Sequence, residues 1–297
     1  MWNARYFFIG DGLHLLTFMV EQGLSVIGAR VPGAYVDRVR ESYDIPDLAT
    51  WQDKAGLVAD LQRSPFDVLI SCGNPFLIPT EALHDDQRKL VNVHPSFLPY
   101  LRGPYPLSGA LLHGSGAGAS LHRMTQVVDG GPLIARVALE VSPEMDWALL
   151  HHLTSDTILE AFTQAFHRAF EPDPALGNVG PGSDFRVEER DLELDVRGDL
   201  AQTLTRIRAY GQPGLGMRFT HDDTRYVVYR ADSFRNDVLA RMHASREDGT
   251  VVSVYGSTVI VKKGDQFLRL SDVQPLEAAP PSLALHPGAP LADRAAS

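Results

Sequence analysis

Asn92-Val93-His94 closes an apolar run of strand length, and side-chain alternation along a strand turns Asn92 and His94 to one side and Val93 to the other. Downstream, Val128-Asp129-Gly130-Gly131 forms a turn between two further strand candidates. An amide, an imidazole and a carboxylate make a set suited to moving an acyl carbon onto an amine. That reaction needs an amine stripped of its proton, a donor to the oxyanion of a tetrahedral intermediate, and a proton for the leaving nitrogen. Histidine titrates near neutrality, an amide NH₂ can donate to an oxyanion, and a carboxylate can orient and stabilise an imidazolium. Each residue also has a plainer reading. A strand-end histidine is often a satisfied polar group, and Asp-Gly between strands is often only a turn.

The elements that must hold these residues are legible from apolar patterning. RYFFIG (5–10), LSVIGAR (24–30), FDVLISCG (66–73) and KLVNVHP (89–95) have strand length, with helix-like spacing in DGLHLLTFMVEQG and DKAGLVADLQRS between them. Strand-helix alternation with nearly continuous apolar strands predicts a parallel sheet covered on both faces. In such a sheet the ligand crevice lies beyond the carboxyl ends of the strands, where Asn92 and His94 would stand. Two strands (118–127 and 131–141) flank the Asp129 turn, and a helix over 146–170 follows with Leu149, Leu153, Leu159, Phe162 and Phe166 as its apolar positions. The Pro- and Gly-rich stretch 171–184 reads as a linker. Beyond it, helix 199–211 and short Gly-punctuated strands at 225–231, 249–256, 257–264 and 266–273 predict a small antiparallel barrel or sandwich. The expected division is therefore a domain over 1–170, the linker, a β-rich domain over 185–277, and a disordered Pro- and Ala-rich tail over 278–297.

Composition limits the alternatives. A net charge of −10 over 297 residues argues against a globally basic nucleic-acid binder. The single cysteine, Cys72, lies in an apolar run and reads as a buried thiol. The amino terminus lacks the pattern of a signal peptide and no run reaches the roughly 20 apolar residues of a membrane span, so a cytoplasmic location is expected. Gly10-Asp11-Gly12 resembles half of a dinucleotide turn, but Leu15 stands where a third glycine belongs, which disfavours a dehydrogenase. His151-His152 lack partners at zinc spacing, and no metal is expected.

Asn92-x-His94 followed by Pro-Ser-Phe-Leu-Pro, then Arg102-Gly103, GASLHRM and VVDGGPLIA, resembles the folate-dependent formyltransferase family. Phe97 replaces the usual leucine of that signature. RIRAYGQPGLG (206–216) and residues 249–274 look like the carboxy-terminal domain of methionyl-tRNA formyltransferases and their relatives. The resemblance implies a Rossmann-like, mostly parallel α/β domain, an oligonucleotide-binding-type β-rich second domain, and 10-formyltetrahydrofolate as formyl donor. It carries the catalytic roles onto Asn92, His94 and Asp129. It also implies a pterin pocket along 72–79 and 121–129, with Asn74, Phe76, Leu77, Ile78, His122 and Val127 as folate contacts. Gly10, Ser96, Arg102 and Tyr105 are the expected acceptor contacts.

The acceptor is open among initiator tRNA, a glycinamide nucleotide and small amines. Methionyl-tRNA formyltransferases carry a basic Gly-rich insertion after the second strand; here residues 29–46 are shorter and mix Arg30, Arg38 and Arg40 with Asp37, Glu41 and Asp44. A glycinamide nucleotide fits poorly, since GDGLH replaces the Ser- and Asn-bearing phosphate loop and a second domain is present. The expected partners are folate and a small amine, foremost a nucleotide-linked amino sugar or a biosynthetic amino acid. Nucleic acid and membrane are not expected, and a homodimer is allowed. A non-catalytic module that merely binds folate or a protein partner is the alternative of another class.

Overall fold

The structure is a computed structural model that describes residues 3–83, 85, 87–221, 224–276, 285, 287–288 and 290–291. Its first elements are β1 (Arg5–Ile9), α1 (Leu13–Glu21), β2 (Ser25–Arg30), α2 (Gly33–Ser42), β3 (Asp47–Ala49), α3 (Lys54–Arg63), β4 (Val68–Cys72), α4 (Thr80–Leu83) and β5 (Lys89–His94). Then come α5 (Pro106–His113), β6 (Gly118–Arg123), β7 (Leu133–Ala138) and α6 (Trp147–His167). Among the described residues β1 to β7 form one sheet in the order β3-β2-β1-β4-β5-β6-β7. The first five strands in that order run parallel, while β6 is antiparallel to β5 and β7 to β6.

The continuous apolar runs are explained by burial on both faces. Tyr6 and Phe8 join Leu15, Leu16, Met19 and Phe162 on one side, while Phe7 and Ile9 join Leu57, Leu61 and Phe66 on the other. Helix α6 meets the sheet on a stripe that keeps Leu159, Phe162 and Phe166 of the expected positions and drops Leu149. Leu149 is exposed, and Ile158, Ala161, Phe162 and Ala165 are buried, because two alanines let the helix approach closely. The strand order reverses between β1 and β4, which opens a crevice beyond their carboxyl ends.

The chain divides into two compact units whose boundaries differ from the expected ones. The first runs to Pro106 and adds Ser115–Glu140 and His151–Phe185; the second takes Leu107–Gly114, Val141–Leu150 and everything from Arg186. The stretch read as a linker belongs to the first unit and is tied to it by backbone hydrogen bonds. Arg102 N–H donates to the Ser183 carbonyl, Phe185 N–H to Arg102, Leu133 N–H to Gly177 and Val179 N–H to Gly131.

The second unit contains α7 (Leu200–Tyr210), β8 (Met217–His221), β9 (Thr224–Val228), β10 (Arg230–Phe234), α8 (Asp237–Met242), β11 (Val251–Tyr255), β12 (Thr258–Lys263), β13 (Gln266–Ser271) and β14 (Gln274–Pro275). Among the described residues its strands make two antiparallel sheets, β10-β13-β12-β11 and β14-β9-β8. Only Tyr229 separates β9 from β10, and β13 leads similarly into β14, so two chain segments pass from one sheet to the other as in a wrapped barrel. Much of the expected disordered tail lies outside the described residues. Where it is described it is docked: Leu285 and Leu291 are buried in this unit's core, and Leu291 N–H donates to the Gly249 carbonyl. Their apolar burial outweighs the weak propensity of the Pro-rich sequence around them.

One half-buried histidine is expected to make the fold acid-sensitive. His14 on α1 has no hydrogen-bond partner for Nε2 among the described residues. Burial, reinforced by His151 and opposed by Asp156, lowers its pKa to about 4. The unfolded chain binds this proton near pH 6.5, so stability is complete above that value and falls as pH drops toward 4. Urea titrations at pH 7.5 and 4.5 should differ by about 2–3 kcal/mol through this group. The pH difference should shrink in His14→Leu; an unchanged difference would exclude His14 as its source.

Candidate active site

Asn92 and His94 leave the carboxyl end of β5, and β6 lies against them with Asn92 opposite His122 and His94 opposite Ser120. The turn between β6 and β7 brings Asp129 to the same place. Asp129 has a left-handed backbone (φ 50°), and Gly131 lies so close to β6 that a Cβ there would fall 1.9 Å from the Arg123 carbonyl oxygen. The turn is thus pressed onto the end of β6, with the carboxylate facing β5.

The polar atoms then meet within hydrogen-bonding or ion-pair range. Asn92 Nδ2 donates to Asp129 Oδ1 at 3.3 Å, and His94 Nδ1 stands 3.6 Å from the same oxygen. His122 Nε2 is also 3.6 Å from it, while Gly103 N–H donates to Oδ2 at 3.1 Å. Nε2 of His94 is 3.0 Å from the Leu101 carbonyl oxygen. A carbonyl only accepts, so Nε2 carries the proton, and neutral His94 keeps its lone pair on Nδ1.

Charge follows from this geometry. Burial lowers the His94 pKa, with Asp129 and the Leu101 carbonyl offsetting only part of that effect, so the imidazole is neutral at pH 7. Burial disfavours ionised Asp129, but its polar contacts, the Gly103 N–H donor among them, hold its pKa below the usual carboxylate value. A neutral base beside a fixed carboxylate can accept a proton and be stabilised once charged.

These groups stand in the wall of a cavity of about 740 Å³ that is also lined by Asn74, Phe76, Leu77, Ile78, His122 and Val127. Leu77 and Val127 are 65% and 61% exposed, which leaves large apolar side chains uncovered at the cavity. Phe76 is held edge-on by Trp51, and Asn74 bonds both the N–H and the carbonyl of Phe76, fixing the loop.

The four expected acceptor contacts do not line this cavity. Gly10 (φ 128°) abuts the Cys72 carbonyl, and fully buried Ser96 donates to the Tyr100 carbonyl. Arg102 is committed to Asp184 at 2.7 Å, and Tyr105 is half-buried between Pro104 and Pro106, which do line it. In Arg102-Gly103 it is the glycine whose backbone reaches the site. Sequence reasoning also missed Asp11 and Lys54 in the wall. Their position just after β1 and at the start of α3, at the carboxyl end of the sheet, is the signal that could have found them.

A formyl transferase family model matches residues 48–166, which run from within β3 through β7 and most of α6. Over 253 residues the chain is 31% identical to a methionyl-tRNA formyltransferase of Thermus thermophilus, covering 84% of this chain and 79% of that protein. The chain belongs to the folate-dependent formyltransferase family. Two solved structures share the fold of this formyltransferase. HypX from Aquifex aeolicus in complex with tetrahydrofolic acid superposes with a TM-score of 0.69 at 16% identity over 93% of this chain, which spans only 45% of that longer protein. A sugar N-formyltransferase from a Shewanella species gives 0.60 at 12% identity, over 76% of this chain and 96% of that one. The chain is accordingly an enzyme that transfers a one-carbon formyl group, and 10-formyltetrahydrofolate is the donor used by its family. The cavity fits such a molecule: its volume lies within the roughly 300–1,000 Å³ of small-molecule sites, and apolar walls end at a few convergent polar groups.

Proposed function

We propose that this formyltransferase moves formyl from 10-formyltetrahydrofolate to the amine of a small molecule, foremost a nucleotide-linked amino sugar or a biosynthetic amino acid. In this reading the donor supplies the activated formyl carbon. His94 takes the amine's proton on Nδ1 and returns it to the departing nitrogen. Asp129 stabilises the imidazolium in between, and the Asn92 amide donates to the oxyanion. Phe76, Leu77, Ile78 and Val127 keep water from the formyl carbon.

The acceptor class rests on one observation: β2 passes through Val31 and Pro32 directly into α2, with no insertion. Arg30, the basic residue at that strand end, is already occupied by Asp47 and Asp60. A net charge of −10 favours the same reading. Methionyl-tRNA is the second reading, favoured by the relationship to the Thermus thermophilus enzyme.

A panel of nucleotide-linked amino sugars and carrier-bound amino acids, assayed for formyl transfer beside initiator methionyl-tRNA, separates them. A small amine should turn over with little salt dependence. Phosphate-dependent tRNA binding would weaken by about 0.9 log units per phosphate contact for each log unit of salt. Tight, salt-sensitive binding of methionyl-tRNA accompanied by its formylation would replace the small-amine assignment.

A further inference from the structure

We infer that His122 is a positioning residue for Asn92, its bare Nε2 holding one amide hydrogen of Asn92 until a developing oxyanion takes that hydrogen over. The inference rests on the proposed formyl-transfer role of Asn92. His122 is buried on β6 directly opposite Asn92, and its Nδ1 lies 2.9 Å from the Arg123 carbonyl oxygen. Because that oxygen can only accept, Nδ1 carries a proton, and in the Nδ1–H tautomer Nε2, which also stands 3.6 Å from Asp129 Oδ1, is the ring's acceptor. Nε2 is 3.3 Å from Asn92 Nδ2, and that same nitrogen is 3.3 Å from Asp129 Oδ1.

Two acceptors therefore face the two N–H groups of one amide. The reversed amide would set its oxygen against a bare ring nitrogen and a carboxylate, two repulsive contacts in a buried site. His122 and Asp129 thus fix which way Asn92 is turned. They also leave the resting amide with no hydrogen to spare. At 3.3 Å the contact with the ring nitrogen is long, and a bond to an oxyanion is roughly twice as strong as a neutral one. As negative charge grows on the transferred carbonyl, the hydrogen held by His122 is the one that moves, while Asp129 keeps the other. The new contact exists in the transition state and not before it, which is the kind that raises kcat. His122 lines the cavity while both its ring nitrogens are engaged within the protein at rest.

Two measurements test this. In histidine-labelled protein, ¹⁵N shifts should give His122 the Nδ1–H tautomer and His94 the Nε2–H tautomer; Nε2–H at His122 would overturn the inference whether or not an acceptor is known. In turnover with the amine selected by the panel, His122→Leu should lower kcat by on the order of 10²-fold. His122→Gln, which keeps an acceptor, should recover about a tenth of the wild-type rate or more, and affinity for 5-formyltetrahydrofolate should stay within about twofold in both. Equal loss in the two variants, or a loss of folate affinity, would make His122 a packing or donor-binding residue. A panel without any acceptor would count against the proposed function and leave the tautomers to decide His122.

Discussion

His94→Ala should lower kcat for formyl transfer by about 10²- to 10⁴-fold, the range contributed by a positioned general acid-base group. The substitution removes the Nδ1 lone pair that faces Asp129 and the cavity. It also removes a buried ring and leaves the Leu101 carbonyl without its donor, so part of any loss could reflect the fold. The expected stability cost is about 1–3 kcal/mol, a fraction of the total for a domain of this size. His94→Gln, which fills most of the space, should fold closer to wild type and be comparably inactive. Turnover and urea midpoints measured together separate the two effects. A well-folded His94 variant with near-normal kcat would remove His94 from the chemistry.

Gly10→Ala should be the more damaging change to the fold. A Cβ at this position would lie 1.9 Å from the Cys72 carbonyl oxygen, and φ is 128°, a region L-residues rarely adopt. Backbone strain of about 1–3 kcal/mol adds to an overpacking cost of about 1–3 kcal/mol. The close approach joins the ends of β1 and β4, where the strand order reverses, so β4 cannot yield without moving the cavity wall beyond it. Gly23→Ala provides the control. That glycine also has positive φ (72°), but nothing lies within 4 Å of its added Cβ, and about 1 kcal/mol is expected. Equal denaturation midpoints for the two variants would show that the contact with Cys72 has no energetic weight.

The sheet was readable because strands covered on both faces are apolar throughout, as in Phe7-Phe8-Ile9 and Val68 to Cys72. Smaller elements were less so. Strand β8 alternates Met217, Phe219 and His221 inward over only five residues, and β9 and β10 read as one strand because Tyr229 alone separates them. Leu285 and Leu291 were hidden by Pro- and Ala-rich neighbours, since composition describes a stretch while docking depends on two side chains. At the site, Asn92, His94 and Asp129 were legible because side chains carry their chemistry. The Leu101 carbonyl that sets the His94 tautomer and the Gly103 N–H that anchors Asp129 are backbone atoms, which every residue possesses. Only a folded loop shows which of them matters.

The Pro- and Gly-rich stretch after α6 also decides where the first unit could be cut. A fragment ending near residue 170 would look complete by its sheet and helices, yet it would remove acceptors now serving two loops of the site. Gly177 receives the Leu133 N–H at the start of β7, and the Ser183 hydroxyl and carbonyl receive the N–H groups of Leu101 and Arg102. Leu101 carries the carbonyl bonded to His94, and Gly103 carries the N–H bonded to Asp129. Protease nicking between Gly177 and Ser183 should therefore leave the sheet standing while loosening the grip on His94 and Asp129. Within the first unit the ladder closes at Phe185, whose own N–H bonds the Arg102 carbonyl, so a cut before that residue should loosen the same loops.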